Sequence, residues 1–224
     1  MVRARALLAA GADGLDLGGQ GSTDIAEVVD WSVEWARLEH IVPVLATLGV
    51  PFSVDTWRPQ VARRALEAGA NLLNAADGMQ TDAMREAVAE FDVPVVLPFL
   101  SGPDPRSMTM VERDPVEAIV EFFEARLADA DRYGLRHRCI LDPGTGFAPS
   151  NWPWEQRYLY QKRVYTNLDQ LRRFDLPIYV ALPWKRTAQH DELLEIVVRA
   201  QPEHGRVHHP ERVRELELAF GLHR

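Results

Sequence analysis

Short apolar runs alternate with longer helical stretches along the whole chain, and this alternation constrains the fold more than any other feature. Runs at 14–18, 52–54, 71–74, 93–100, 139–141, 178–182 and 206–208 read as strands. Between them lie helical stretches near 2–10, 25–48, 59–68, 81–91, 115–133, 155–174, 190–200 and 210–220. Strands that are apolar on both faces and separated by helices imply a parallel sheet with right-handed crossovers. An internal echo supports this: LAAGADGLD at 8–16 is repeated as LEAGANLLN at 66–74. Each copy ends a helix at a glycine suited to the left-handed position, then runs a strand that finishes in Asp16 or Asn74. Such a unit used twice points to a β/α barrel.

With 224 residues, no linker and no low-complexity tract, the expectation is one domain over 1–224. Hydrophobic residues at 46% and charged residues at 26% exclude a disordered chain. The net charge of −8 disfavours nonspecific nucleic-acid binding. The single cysteine, Cys139, excludes an internal disulfide and fits a reducing compartment. The longest uncharged stretch, 41–54, is interrupted by Pro43, Gly49 and Pro51 and is too short for a bilayer. The first apolar run meets Gly11 and Asp13 too early for a signal peptide, so a cytoplasmic protein without a membrane partner is expected.

Polar residues gather where the strands end. Asp16 and the loop Gly18-Gly19-Gln20-Gly21-Ser22-Thr23 follow the first run, Asp55 the second and Asn74 the third. Asp142-Pro143-Gly144 follows 139–141, Lys185 follows 178–182, and Arg206 and His208 fall on the last run. In a parallel barrel all of these converge on the C-terminal mouth. One Asp or Asn in such a place commonly caps the next helix, and Asp55 is well placed to do so. Capping alone does not account for an amide, two carboxylates and a lysine at four separate tips. Buried carboxylates and an amide suit a flat heterocycle rich in N–H donors. A lysine and an Arg-x-His would serve a carbonyl oxygen or a departing phosphate. The glycine-rich loop resembles a phosphate cradle. His190, His204, His208 and His209 match no zinc spacing, so no residue is assigned to a metal. Trp31 and Trp35, one helical turn apart, read as helix packing; Trp152 and Trp154 read either as packing or as a lid.

Five blocks, in order, resemble the dihydropteroate synthase family of pterin-binding β/α barrels. They are GADGLDLGGQGST (11–23), PFSVDTWRPQVARRALEAGANLLN (51–74), ILDPGTGF (140–147), LPIYVALPWK (176–185) and GRVH (205–208). The resemblance implies a TIM-type (β/α)8 barrel. It also implies a transferase that joins hydroxymethyldihydropterin pyrophosphate to p-aminobenzoate with Mg²⁺ and releases pyrophosphate. Carried over position by position, Asp55, Asn74, Asp142, Lys185 and Phe147 would bind the pterin. Lys185, Arg206 and His208 would form the catalytic set, with Arg206 and His208 on the pyrophosphate. Ser22 and Thr23 would sit in the p-aminobenzoate loop.

The chain also departs from the family pattern. A first strand and its Asn-bearing loop are not seen ahead of the first helix, and the C-terminal part between Lys185 and Arg206 is shortened, so an incomplete barrel is expected. Pro183 and Trp184 replace Ser and Arg, Phe99 replaces a His, and Ala75 and His209 each replace an Asp. The pterin set is therefore better kept than the pyrophosphate set. This leaves open a non-catalytic or partner-dependent pterin-binding homologue, or a methyltetrahydrofolate-dependent methyltransferase. Seven strands would leave a gap between the first and last strands, to be closed by the N-terminal segment, by strand rearrangement or by a partner subunit; a homodimer is expected.

Overall fold

A computed structural model describes residues 1–23, 26–147 and 152–222. The chain folds as a TIM-type β/α barrel. The parallel strands are β1 (Leu15–Gly18), β2 (Phe52–Thr56), β3 (Leu72–Ala75), β4 (Val95–Pro98), β5 (Cys139–Asp142), β6 (Tyr179–Ala181) and β7 (His204–Arg206). The first five hydrogen-bond in sequence order, β6 pairs with β7, and a single bridge from Leu141 to Ile178 joins the two groups. Among the described residues β7 and β1 do not pair with each other.

The helices are α1 (Val2–Ala9), α2 (Trp31–Leu38), α3 (Val42–Ala46), α4 (Pro59–Glu67), α5 (Asp82–Ala89), α6 (Pro115–Asp131), α7 (Trp154–Tyr165), α8 (Ala188–Ala200) and α9 (Pro210–Ala219). The core lies between helices and sheet, with Val54, Leu73, Val95, Leu97 and Leu141 on the strands fully buried. The echo noted in the sequence is one turn built twice. Gly11 (φ 97°) and Gly69 (φ 103°) follow α1 and α4 in the left-handed region. In each copy two amide N–H groups reach back into the last helical turn, Ala12 to Leu7 O and Gly11 to Leu8 O, then Ala70 to Ala65 O and Gly69 to Leu66 O.

Three boundaries differ from the sequence expectation. The stretch 25–48 is two helices; residue 25 lies outside the described residues. Asp30 caps α2 by accepting the Ser32 N–H, and Pro43, which has no N–H to donate, opens α3. The stretch 155–174 splits into α7 and a 3-10 segment, Leu168–Phe174. The last strand is His204–Arg206, so His208 lies beyond it. Arg206 pairs with Ala181, and Pro210 starts α9, leaving 207–209 as the connecting turn.

Candidate functional site

Register brings the polar strand tips together. Gly18 of β1 lies opposite Asp55 of β2, Asp55 opposite Asn74 of β3, and Pro98 of β4 opposite Asp142 of β5. Because side chains alternate along a strand, Ser53 and Asp55 share one face, which points into the barrel. Ser53 donates its hydroxyl to Asp16 Oδ1 at 2.5 Å, and Arg206 Nε lies 3.3 Å from Asp16 Oδ2. Asn74 and Asp142 are buried. Asp16, Asp55, Asn74, Asp142 and Arg206 thus form one cluster, across which Asp16 and Arg206 join the first strand to the last.

Burial dominates its electrostatics. Asp55 is pushed up to about 8, first by desolvation and then by the neighbouring Asp16 charge, with Arg206 acting in opposition. Asp142 rises to about 7 by desolvation, against the Gly144 N–H and Arg206. Asp16 is also raised by burial, partly offset by Arg206, Ser53 and Asn74. Three carboxyl groups share one guanidinium, so without ligand the cluster favours protons over negative charge. An incoming edge of N–H donors would supply what is lacking.

The local sequence explains why these groups are held still. Asp142 accepts the Gly144 N–H at 2.9 Å, closing its own turn. Gly144 has φ 70°, and a Cβ there would come within 2.1 Å of the Phe99 carbonyl. The Phe147 N–H returns to Gly144 O at 3.3 Å, and the Phe147 side chain is half-buried. At the first loop, a Cβ on Gly19 would meet the Glu34 carbonyl at 2.8 Å, so that glycine admits α2 rather than a phosphate. The loop is organised from inside: Gln20 donates to Glu27 O and accepts from Val29 N. Arg106, on the segment after β4, grips the carbonyls of Thr23 and Ala26 at 2.6 and 2.7 Å. Ser22 is half-buried there and Thr23 exposed.

Lys185 and His208 stand apart from the carboxylates. The exposed Lys185 ammonium lies 5.8 Å from the Trp184 ring, and no hydrogen bond or ion pair among the described residues joins it to Asp55 or Asp142. His208 is exposed at the mouth, and its partial burial together with Arg206 and Arg3 lowers its pKa and keeps the imidazole neutral. Trp152 and Trp154 pack rather than cover the site. Trp152 is buried against Tyr160, and Trp154 stacks on His190 at 4.0 Å while donating to Gln189.

Asp16 of the cluster, and Tyr179 beside it, received no role from sequence. Asp16 was visible as one more polar strand tip. Tyr179 carried no signal, since it sits in an apolar run; yet its phenol enters the barrel near Asp16, Asp142, Arg206 and Asp55, and burial holds its pKa well above the usual range. Tyr179 and Arg206 also line a cavity of about 540 Å³ that opens between β1 and β7, with Leu72, Val96 and Ile140 as its apolar floor. No group of three or more His, Cys, Asp or Glu among the described residues is arranged to hold a metal. Raised carboxyl groups and an Arg206-bound Asp16 do not make a magnesium site.

Parallel strands with a buried carboxylate and amide cluster at their carboxyl ends define a β/α-barrel protein with a polar pocket at the place where such barrels carry their sites. Comparison with known proteins makes the assignment specific: the chain belongs to the pterin binding enzyme family, whose model matches residues 1–201. It is 33% identical over 186 residues to the dihydropteroate synthase of Synechocystis, covering 80% of this chain and 61% of that one. It is 34% identical over 152 residues to the folic acid synthesis protein fol1 of Schizosaccharomyces pombe, covering 65% of this chain and 21% of the relative. The chain therefore spans less than two thirds of the length of either relative. Dihydropteroate synthase from Thermus thermophilus in complex with 4-aminobenzoate superposes with a TM-score of 0.84 at 30% identity, over 99% of this chain and 89% of that one.

Proposed function

We propose that the chain is a dihydropteroate synthase-like transferase of folate biosynthesis, joining hydroxymethyldihydropterin pyrophosphate to p-aminobenzoate. The observation that carries this reading is the cluster at the strand ends, where Asp55, Asn74 and Asp142 offer acceptors in a buried setting. The pterin's amino and ring N–H groups would bind there, with Asp16 and Arg206 beneath and Phe147 at the side. Lys185 would approach the pterin from the outer rim. Arg206 and His208 would face the pyrophosphate, and Ser22 and Thr23 the p-aminobenzoate. The aniline nitrogen attacks the pterin methylene carbon, the carbon–oxygen bond to pyrophosphate breaks with its electron pair, and the nitrogen loses a proton. No covalent enzyme intermediate is needed, so the contribution of the protein is orientation and charge. Magnesium would arrive on the pyrophosphate as part of the substrate.

A pterin-binding protein without turnover is the second reading. It is favoured by Arg206 being engaged with Asp16 at 3.3 Å and by Lys185 lying away from the cluster. The proposal extends to a cytoplasmic location, which the single buried thiol supports, and to a homodimer. Among the described residues no helix is long and apolar enough to cross a membrane.

Calorimetry with hydroxymethylpterin tests the binding, and pyrophosphate release with both substrates and Mg²⁺ tests the catalysis. Wild type should bind, Asp55→Ala should weaken binding at least 10-fold, and Arg206→Ala should lower turnover more than pterin affinity. Pterin binding without any pyrophosphate release would select the second reading; no pterin binding at all would remove both.

A further inference from the structure

Trp184 is the only Trp, Phe or Tyr exposed among the described residues, at 52%. It follows β6 at the barrel mouth. The His208 ring lies 5.5 Å from its indole at 39°, and the Lys185 ammonium lies over the ring, 5.8 Å from its centroid. Pro183 before it restricts the backbone and offers neither an N–H nor a hydroxyl. Leaving a large indole half in water forgoes burial that a core position would give, so its remaining surface is available to a ligand ring. In the family pattern this pair of positions holds Ser and Arg, both donors to an anion. Here the same place presents a half-exposed flat aromatic surface with a cation beside it.

We propose that Trp184 is a specificity-determining residue on which the arylamine substrate stacks, so that the chain selects this substrate by its ring more than by its carboxylate. The inference rests on the transferase reading of the site. Stacking against indole would hold the aniline ring at the mouth, beyond the carboxylate cluster that takes the pterin. The neighbouring Lys185 ammonium would meet a carboxylate when one is present. 4-Aminobenzoate and its uncharged amide would then both be accepted.

The test compares 4-aminobenzoate with 4-aminobenzamide in wild type, Trp184→Ala, Trp184→Phe and Trp184→Arg. Two readouts are used: steady-state rates of pyrophosphate release, and calorimetric amine binding to protein loaded with pterin and pyrophosphate. Wild type should show KM values for the two amines within about 5-fold of each other. Trp184→Ala should raise KM and Kd for both by about 10-fold or more, with kcat changed less than about 2-fold. Trp184→Phe should retain most of the affinity, and Trp184→Arg should prefer the carboxylate by more than 10-fold. Pterin affinity should stay at the wild-type level in all three variants, which separates lost stacking from lost folding. Unchanged amine affinity in Trp184→Ala, or a wild-type preference for the carboxylate above about 50-fold, would overturn the proposal while leaving the transferase reading intact. Absence of any pyrophosphate release with either amine would overturn the transferase reading and this proposal with it.

Discussion

Asp55 and Asp142 hold their protons because burial and mutual repulsion outweigh the one guanidinium they share with Asp16. A ligand edge of N–H groups reverses that balance, since each new donor favours the ionised carboxylate. With ligand-free values of about 8 and about 7, both groups are largely protonated near pH 6.5. Pterin binding there should therefore release protons, and the release should fade above about pH 9, where both are already ionised. Calorimetry at one pH in two buffers of different ionisation enthalpy measures this directly. Equal enthalpies in the two buffers would contradict the assigned charge states. At this scale much of the polar cluster was legible in the sequence: Asp55, Asn74 and Asp142 stood out because each ends an apolar run with a polar residue. Tyr179 did not, because only the inward alternation of β6 reveals that an aromatic inside an apolar run faces carboxylates. The separation of Lys185 from the cluster depends on the course of the turn after β6, which no spacing encodes.

Elements hold these groups in place through a few tight contacts. The turn after β5 is the clearest case, because Gly144 combines φ 70° with a carbonyl 2.1 Å from where a Cβ would stand. Gly144→Ala should cost about 3 kcal/mol from backbone strain and overpacking together. For a chain of this length that corresponds to a fall of roughly 6–12 °C in Tm, readable by calorimetric melting. Pterin affinity should fall as well, since the same turn orients the Asp142 carboxylate. Glu34 shows a second form of fixation. Fully buried in α2, it is paired with Arg58 just before α4, which ties the first loop to the second strand's exit. Element positions followed from the apolar period, whereas the break inside 25–48 and the early start of β7 followed from proline chemistry and register, which the period does not carry.

At the level of the molecule, the seven strands follow a parallel sequence order whose two ends face one another across a cavity. The flanking helices leave Val2 of α1 88% exposed and Leu218 of α9 65% exposed. Exposed apolar side chains beside unpaired strand edges favour association. The homodimer we propose should appear in sedimentation equilibrium at micromolar concentrations, and Val2→Asp with Leu218→Asp should shift it to monomer without unfolding. A monomeric wild type at all accessible concentrations would remove the proposal. The barrel class and the expected gap were legible from strand count and order.

The Leu141–Ile178 bridge has a mechanical consequence. In a closed barrel the circumference is set by an unbroken hoop of hydrogen bonds. Among the described residues that hoop has no link between β7 and β1 and a single bridge between β5 and β6. Arg206 rides on the two-strand piece, while Asp16, Asp55, Asn74 and Asp142 ride on the five-strand piece. The two sides of the site therefore sit on separately hydrogen-bonded sheets, which the Asp16–Arg206 pair joins across the mouth.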